Sequence, residues 1–130
     1  MAEIRHIAIR THDVEKTAAF YKEAFALDQV GVGKSGIYLT DGHLNIAILN
    51  FRPAVAGESM KLGIDHVGFQ VENVDAAIAR IKSLGGKSLN DGNEVTPADP
   101  AQPQSYFEVK CVGPDDQVID VSSAGWVGAR

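Results

Sequence analysis

Two stretches of this chain, sixty residues apart, carry one pattern. IRHIAIRTHDVEKTAAFY starts at Ile4, and IDHVGFQVENVDAAIARI starts at Ile64. In that register His6 falls on His66, Ile7 on Val67, Ala8 on Gly68, Asp13 on Asn73, Val14 on Val74 and Lys22 on Lys82. Self-similarity at a fixed offset marks a supersecondary unit used twice. A chain of 130 residues is one domain's worth of sequence, or two very small half-domains sharing a core. The repeat therefore restricts the fold to two copies of one design.

Each copy opens with a strand. RHIAIR alternates, with Ile7 and Ile9 on one face and His6, Ala8 and Arg10 on the other. DHVGFQV does the same, with Val67, Phe69 and Val71 against His66, Gly68 and Gln70. A helix follows each strand, with Asp13 and Asn73 as N-caps whose side-chain oxygens suit orphan backbone N–H groups. Val14, Ala18, Tyr21 and Phe25 recur at helical spacing, as do Val74, Ala77, Ile78, Ile81 and Leu84, and Gly85-Gly86 supplies a stop. GIYLTDG and HLNIAILNF form a hairpin turning at Asp41-Gly42; SYFEVKCVGPDDQVIDVSS forms another near Pro114-Asp115-Asp116. The Pro-rich, polar GNEVTPADPAQPQ is a loop. The order is strand, helix, then two or three strands, stated twice. The tail SAGWVGAR has no periodicity and either stays loose or docks through Trp126.

The apolar face of each strand meets its helix, so the second face needs an account. Curled together, these second faces line a cup that receives His6, Ala8 and Arg10 from one copy and His66, Gly68 and Gln70 from the other. Ile119 and Val121 match the helix-facing set, which turns Asp120 to the cup. A carboxylate flanked by Val118, Ile119 and Val121 needs a partner, because an unpaired charge there would cost several kcal/mol, roughly. Two imidazoles and one carboxylate are the 2-His-1-carboxylate ligand set, which leaves positions open and suits Fe(II) among the divalent ions. His12 precedes a helix cap and faces solvent; His43 sits beside a turn. Tyr106, Glu108 and Lys110 alternate against Phe107, Val109 and Cys111 and so face together.

Composition removes other classes of function. Acids outnumber bases 17 to 12, and no cluster of Lys and Arg offers a surface to nucleic acid or anionic lipid. No apolar run approaches the ~20 residues of a membrane span. The lone Cys111 has no intrachain disulfide partner, which with the absence of a signal-like N-terminal segment gives the expectation of a cytoplasmic protein.

The duplicated strand–helix–three-strand unit, the histidines in RHIAIR and IDHVGFQVENVDAA, and GPDDQVIDVSS resemble the vicinal oxygen chelate superfamily of glyoxalases, methylmalonyl-CoA epimerases, extradiol dioxygenases and bleomycin-resistance proteins. The resemblance covers roughly Ile4 to Val121. It implies an α+β fold of two tandem βαβββ modules whose mixed sheets curl into a cup-like half-barrel, helices outside. The modules span about 4–51 and 64–123 of a single domain (1–130), with a linker over about 52–63. It also implies His6, His66 and Asp120 as ligands of a divalent metal (Fe(II), Mn, Ni, Co or Zn, with Fe(II) or Mn favoured), a small-molecule substrate with vicinal oxygens, and a homodimer. The family pattern usually has Glu where Asp120 stands. It also has a carboxylate or Gln on the strand HLNIAILN, where Ala47 or Ile46 falls and Asn45 is the only nearby polar side chain. Three protein ligands set ring-cleaving dioxygenase chemistry slightly ahead of lyase, isomerase or epimerase chemistry; a sequestering protein that binds without catalysis is the alternative. Glu108 is the candidate general base, with Tyr106 a further catalytic candidate, and Arg10, Gln70 and Lys110 are candidate substrate contacts.

Overall fold

The computed structural model describes residues 1–51, 61–89 and 108–130. The first copy of the repeat forms β1 (Glu3–Thr11), α1 (Val14–Phe25), β2 (Asp28–Val32), β3 (Gly36–Thr40) and β4 (Asn45–Asn50). The second forms β5 (Gly63–Gln70), α2 (Val74–Ser83), β6 (Lys87–Ser88), β7 (Val109–Val112) and β8 (Val118–Ser122). The βαβββ reading thus holds for both copies, and it gains β2 and the very short β6. No helix among the described residues is long and apolar enough to cross a membrane.

The helices start where the sequence places their caps. Asp13 accepts from the Lys16 N–H and Asn73 from the Ala76 N–H, at 3.0 and 2.9 Å. Helix α1 ends at Ala26, which takes the left-handed conformation (φ 53°), and α2 ends at Leu84 ahead of Gly85 (φ 92°).

All eight strands join one mixed sheet in the order β2-β3-β4-β1-β5-β8-β7-β6. The first half runs β2-β3-β4-β1, and the second repeats it in reverse about the central antiparallel pair β1–β5. The first strand of each copy lies parallel to the last strand of that copy, β1 with β4 and β5 with β8. The sheet is mixed and does not close into a barrel.

One face carries the helices. Ala18 of α1 packs with Leu39 and Ile48, and Ile9, Val14 and Tyr21 surround them. Under α2, Val109, Cys111 and Val121 pack with Val74, Ala77, Ile78 and Ile81. Full burial of Leu39, Ile48 and Val121 contributes about 1.5–3 kcal/mol each relative to exposure. The other face holds a small apolar cluster, Ala8, Ala47 and Leu49 with Tyr38 against it. That face also buries His6, Arg10, His66 and Asp120. Alternation along β1, β5 and β8 thus separates packing from chemistry.

Candidate metal centre

His6 on β1, His66 on β5 and Asp120 on β8 meet beside the central seam, each buried, with one ligand atom apiece lying within 4.8 Å of the others. The two Nε2 atoms are 3.3 Å apart, and Asp120 Oδ2 lies 3.0 Å from His66 Nε2 and 3.7 Å from His6 Nε2. Ligands at about 2.1 Å from one ion are about 3.0 Å apart at right angles and about 3.4 Å apart at the tetrahedral angle. Two edges of the triangle therefore match a coordination face, and the third, from His6 Nε2 to Asp120 Oδ2 at 3.7 Å, is slightly longer.

Both imidazoles are held in one tautomer. His6 Nδ1–H donates to Asn45 Oδ1 at 2.7 Å, and Asn45 is itself oriented by donating from Nδ2 to the Val127 carbonyl at 2.9 Å. His66 Nδ1–H donates to Asp65 Oδ2 at 2.7 Å. With Nδ1 protonated, each Nε2 turns a lone pair toward the same point, the arrangement that carboxylate and amide partners impose on metal-binding histidines. Asp120 Oδ2 is buried and has no hydrogen-bond partner despite its closeness to His66, whereas Oδ1 accepts from Lys110 Nζ at 2.7 Å. Two facing lone pairs and an orphaned carboxylate oxygen are what a divalent cation satisfies, so the residues fit one.

Charge states agree with that reading. Burial lowers His6 to about 4, so it is neutral near pH 7. Burial also acts to lower His66, but the Asp120 carboxylate outweighs it and the net shift is upward. Burial opposes ionisation of Asp120, yet His66 and Lys110 hold it below the usual carboxylate range. A proton and a divalent ion would compete for the same His66 Nε2 lone pair beside Asp120.

A cavity of about 190 Å³ opens beside the triad, lined by His6, His66, Tyr38, Glu108, Lys110 and Trp126 among others. Glu108 is pushed up to about 7, first by burial and then by the Asp120 charge. Trp126 Nε1–H donates to Glu108 Oε2 at 2.9 Å. The indole also stacks on the His6 ring, with centroids 4.9 Å apart and planes 7° from parallel. It reaches the sheet because residue 68 is glycine: a Cβ there would lie 2.7 Å from His6 Cβ and 2.8 Å from the indole. The segment bearing Trp126 is tied down by Thr40 Oγ1–H donating to the Gly128 carbonyl at 2.9 Å and by Arg5 bonding the Arg130 carbonyl. Burial, then Glu108, pushes Tyr38 above the ordinary tyrosine range.

The other expected contacts divide. Arg10 and Lys110 line the cavity. Gln70 does not: it shares the cup-side parity of His66 and Gly68 but sits at the end of β5, donates to the Ser123 carbonyl at 3.4 Å and lines a different cavity with Glu3, Arg5 and Arg130. Tyr106 lies outside the described residues. His12 is exposed, as expected, and His43, beside the turn, is exposed as well. Asn45 serves as an acceptor for His6 and not as a ligand. The partners that sequence reasoning passed over are Asp65, Tyr38 and Ser35. Asp65 owes its place to a bulge: Ala8 pairs with His66 and Ile9 with Ile64, which leaves Asp65 unpaired and re-aimed toward the cup.

Strand register also locates the absent fourth ligand. In the parallel pairs, Ala8 faces Ala47 and Gly68 faces Asp120. Since Gly68 repeats Ala8, Ala47 is the counterpart of Asp120 and offers no donor atom.

Fold and site together define a duplicated βαβββ protein with a metal-type triad facing a small cavity. The family pattern described as the Glyoxalase/Bleomycin resistance protein/Dioxygenase superfamily matches residues 3–99, and the chain belongs to that superfamily. Mitochondrial methylmalonyl-CoA epimerase of Homo sapiens is 30% identical over 105 residues, covering 70% of this chain and 58% of the relative. The chain thus spans a little over half the length of that relative. A 2,3-dioxygenase from Pseudomonas sp. KL28 shares the fold at a TM-score of 0.70 and 18% identity, over 98% of this chain and 42% of the other. A Mn(II)-bound glyoxalase from Novosphingobium aromaticivorans does so at 0.68 and 24%, over 98% and 40%.

Proposed function

We propose that the chain is a divalent-metal-dependent enzyme that moves a proton on a small substrate chelated through two vicinal oxygens, with Glu108 as the acid–base group. The observation that carries this is Glu108 itself: a half-buried carboxyl in the cavity, raised to about 7 and, among the described residues, held by the Trp126 indole donor. A base works best when its pKa lies near the working pH. A bound divalent ion would be held by His6, His66 and Asp120 and would polarise the substrate oxygens as a Lewis acid. Asn45 and Asp65 keep the two imidazoles aimed. Lys110 fixes one carboxylate oxygen of Asp120 and leaves the other for the ion. Glu108 takes a proton from the carbon next to the chelated carbonyl and returns it, which gives isomerisation or epimerisation. The kinship with a methylmalonyl-CoA epimerase supports this class, without bringing its substrate along.

A second reading rests on Ala47. A triad lacking its fourth ligand leaves more of the ion open, which suits ring-cleaving dioxygenase chemistry. The same site used without turnover would make a binding protein. A homodimer belongs to the proposal as well, and scattering that returned the mass of one chain would remove it.

The test has two parts. Protein purified without chelator is assayed for metal content beside His6→Ala, His66→Ala and Asp120→Ala. It is then incubated in D2O with 2-oxo acids, and C–H exchange is followed by NMR with Glu108→Gln as control. We expect metal in the parent, little in the three variants, and exchange that fails in Glu108→Gln. Metal retained by all three variants refutes the site. Oxygen uptake with catechol, in place of exchange, selects the second reading; no thermal-shift response to Mn, Fe, Ni, Co or Zn selects the binder.

A further inference from the structure

Among the described residues, Arg10 is a cavity-lining cation whose hydrogen-bonding capacity is mostly unspent. Its side chain is 4% exposed, yet among the described residues it makes one hydrogen bond, from one terminal nitrogen to the Asn50 carbonyl at 3.1 Å. Its Nε is buried without a partner, and Asp65 Oδ2 is 3.6 Å away, beyond hydrogen-bond reach. Asp65 cannot come closer without cost, because Oδ2 already accepts from His66 Nδ1 and Oδ1 accepts from the Lys61 N–H at 3.0 Å. A guanidinium carries five N–H donors in a planar fork. A buried one left largely unpaired costs free energy unless something in the cavity accepts those bonds.

Position adds to this. Arg10 follows His6 by four residues on the same face of β1, which sets their Cα atoms about 13 Å apart. Ser35 lies at the Arg10 end of the cavity, its carbonyl accepting from Asn50 N–H at 2.8 Å, while Leu49 and Ala47 form an apolar wall. The cavity therefore runs from the triad along an apolar wall to a guanidinium fork. The charges point the same way. Lys110 is balanced by Asp120 and Arg10 only loosely by Asp65, so a bound divalent ion would leave the cavity positive.

Resting on the enzyme reading above, we propose that Arg10 anchors a carboxylate of the substrate, which is therefore a small acid carrying its vicinal chelating oxygens at one end and a carboxylate several bonds away at the other. The planar fork matches a carboxylate in two parallel hydrogen bonds, which a lysine cannot reproduce. The apolar wall accommodates the short carbon chain between the two ends.

Trp126 is the only tryptophan and lines the cavity, so its fluorescence reports occupancy. Metal-loaded protein is titrated with 2-oxoglutarate and with its distal N,N-dimethylamide, which carries a neutral amide in place of the distal carboxylate and, lacking an N–H, cannot cyclise onto the 2-oxo group. We expect the acid to bind about tenfold or more tightly than the amide. Arg10→Gln should erase that preference with metal content unchanged, and Arg10→Lys, which keeps the charge and guards against a folding defect, should retain part of it. Metal-free protein titrated with glutarate separates this inference from the enzyme reading: Arg10-dependent binding there sustains the anchor even if no metal is held. Equal affinity for acid and amide, a preference that survives Arg10→Gln, or no response to either acid at about 10 mM overturns the proposal.

Discussion

Replacing Trp126 with Phe tests one hydrogen bond. The indole does three things at once: it stacks on His6, fills the notch over Gly68 and donates to Glu108 at 2.9 Å. Phenylalanine keeps an aromatic face toward His6 and removes the donor, at the cost of the benzo-ring atoms Cζ2 and Cη2 that fill the notch. A hydrogen bond to an ionised acceptor is worth about 1.5–3 kcal/mol, and it favours the carboxylate over the acid. At about 1.4 kcal/mol per pH unit, its loss moves the Glu108 midpoint upward by about one to two pH units, from near 7 toward 8 or 9. Two measurements read this. The acid limb of the kcat/KM profile reports the base in the free enzyme. The carboxylic C=O infrared band, assigned by its loss in Glu108→Gln, reports the same proton without substrate. A folded Trp126→Phe protein whose midpoint stays within about 0.3 pH unit of the parent would refute the assignment of the indole as the donor that sets Glu108.

The remaining predictions follow from the same contacts. The folded state holds the Glu108 proton up to about 7 while an unfolded glutamate releases it near 4.5, so the native state binds more protons in between and stability falls as pH rises through that window. The drop is about 3 kcal/mol; urea denaturation at a series of pH values should show a shallower slope for Glu108→Gln, and an unchanged slope counts against the burial of this charge. Ala47→Glu places a carboxylate at the counterpart of Asp120 and should tighten divalent-metal binding about tenfold or more by chelator competition, whereas unaltered affinity would mean that the two positions are not equivalent. Gly68→Ala drives a methyl into His6 and the indole and should cost about 1–3 kcal/mol, with a red-shifted Trp126 emission; parental stability and spectrum would contradict the close approach.

Much of this was legible because alternation is a strict code. On a strand the faces differ by one residue, so placing Ile7 and Ile9 against a helix determines where His6 points, and the same reasoning turned Asp120 to the cup from Ile119 and Val121. The caps Asp13 and Asn73 were readable because capping is local chemistry. The code fails where the ladder slips. Asp65 sits at odd parity to His66 and reads as facing away, yet the bulge brings it round to His66 and Arg10. Gln70 has the correct parity but lies at a strand end, and parity says nothing about distance along a strand. β2 and β6 were not separable in sequence, since DQVGV and KS carry too few apolar residues to show a period. Trp126 lay in an aperiodic tail, and the notch over Gly68 that receives it has no periodic signature in the sequence.

The triad straddles the β1–β5 seam, with one imidazole from the first copy and the other imidazole and the acid from the second. Neither half could grip an ion alone. Two polypeptides made by cutting the chain between Phe51 and Lys61 would meet along the β1–β5 strand pair and at this triad. Metal would then add a removable clasp to that strand pair, and chelator would loosen the hold of one fragment on the other.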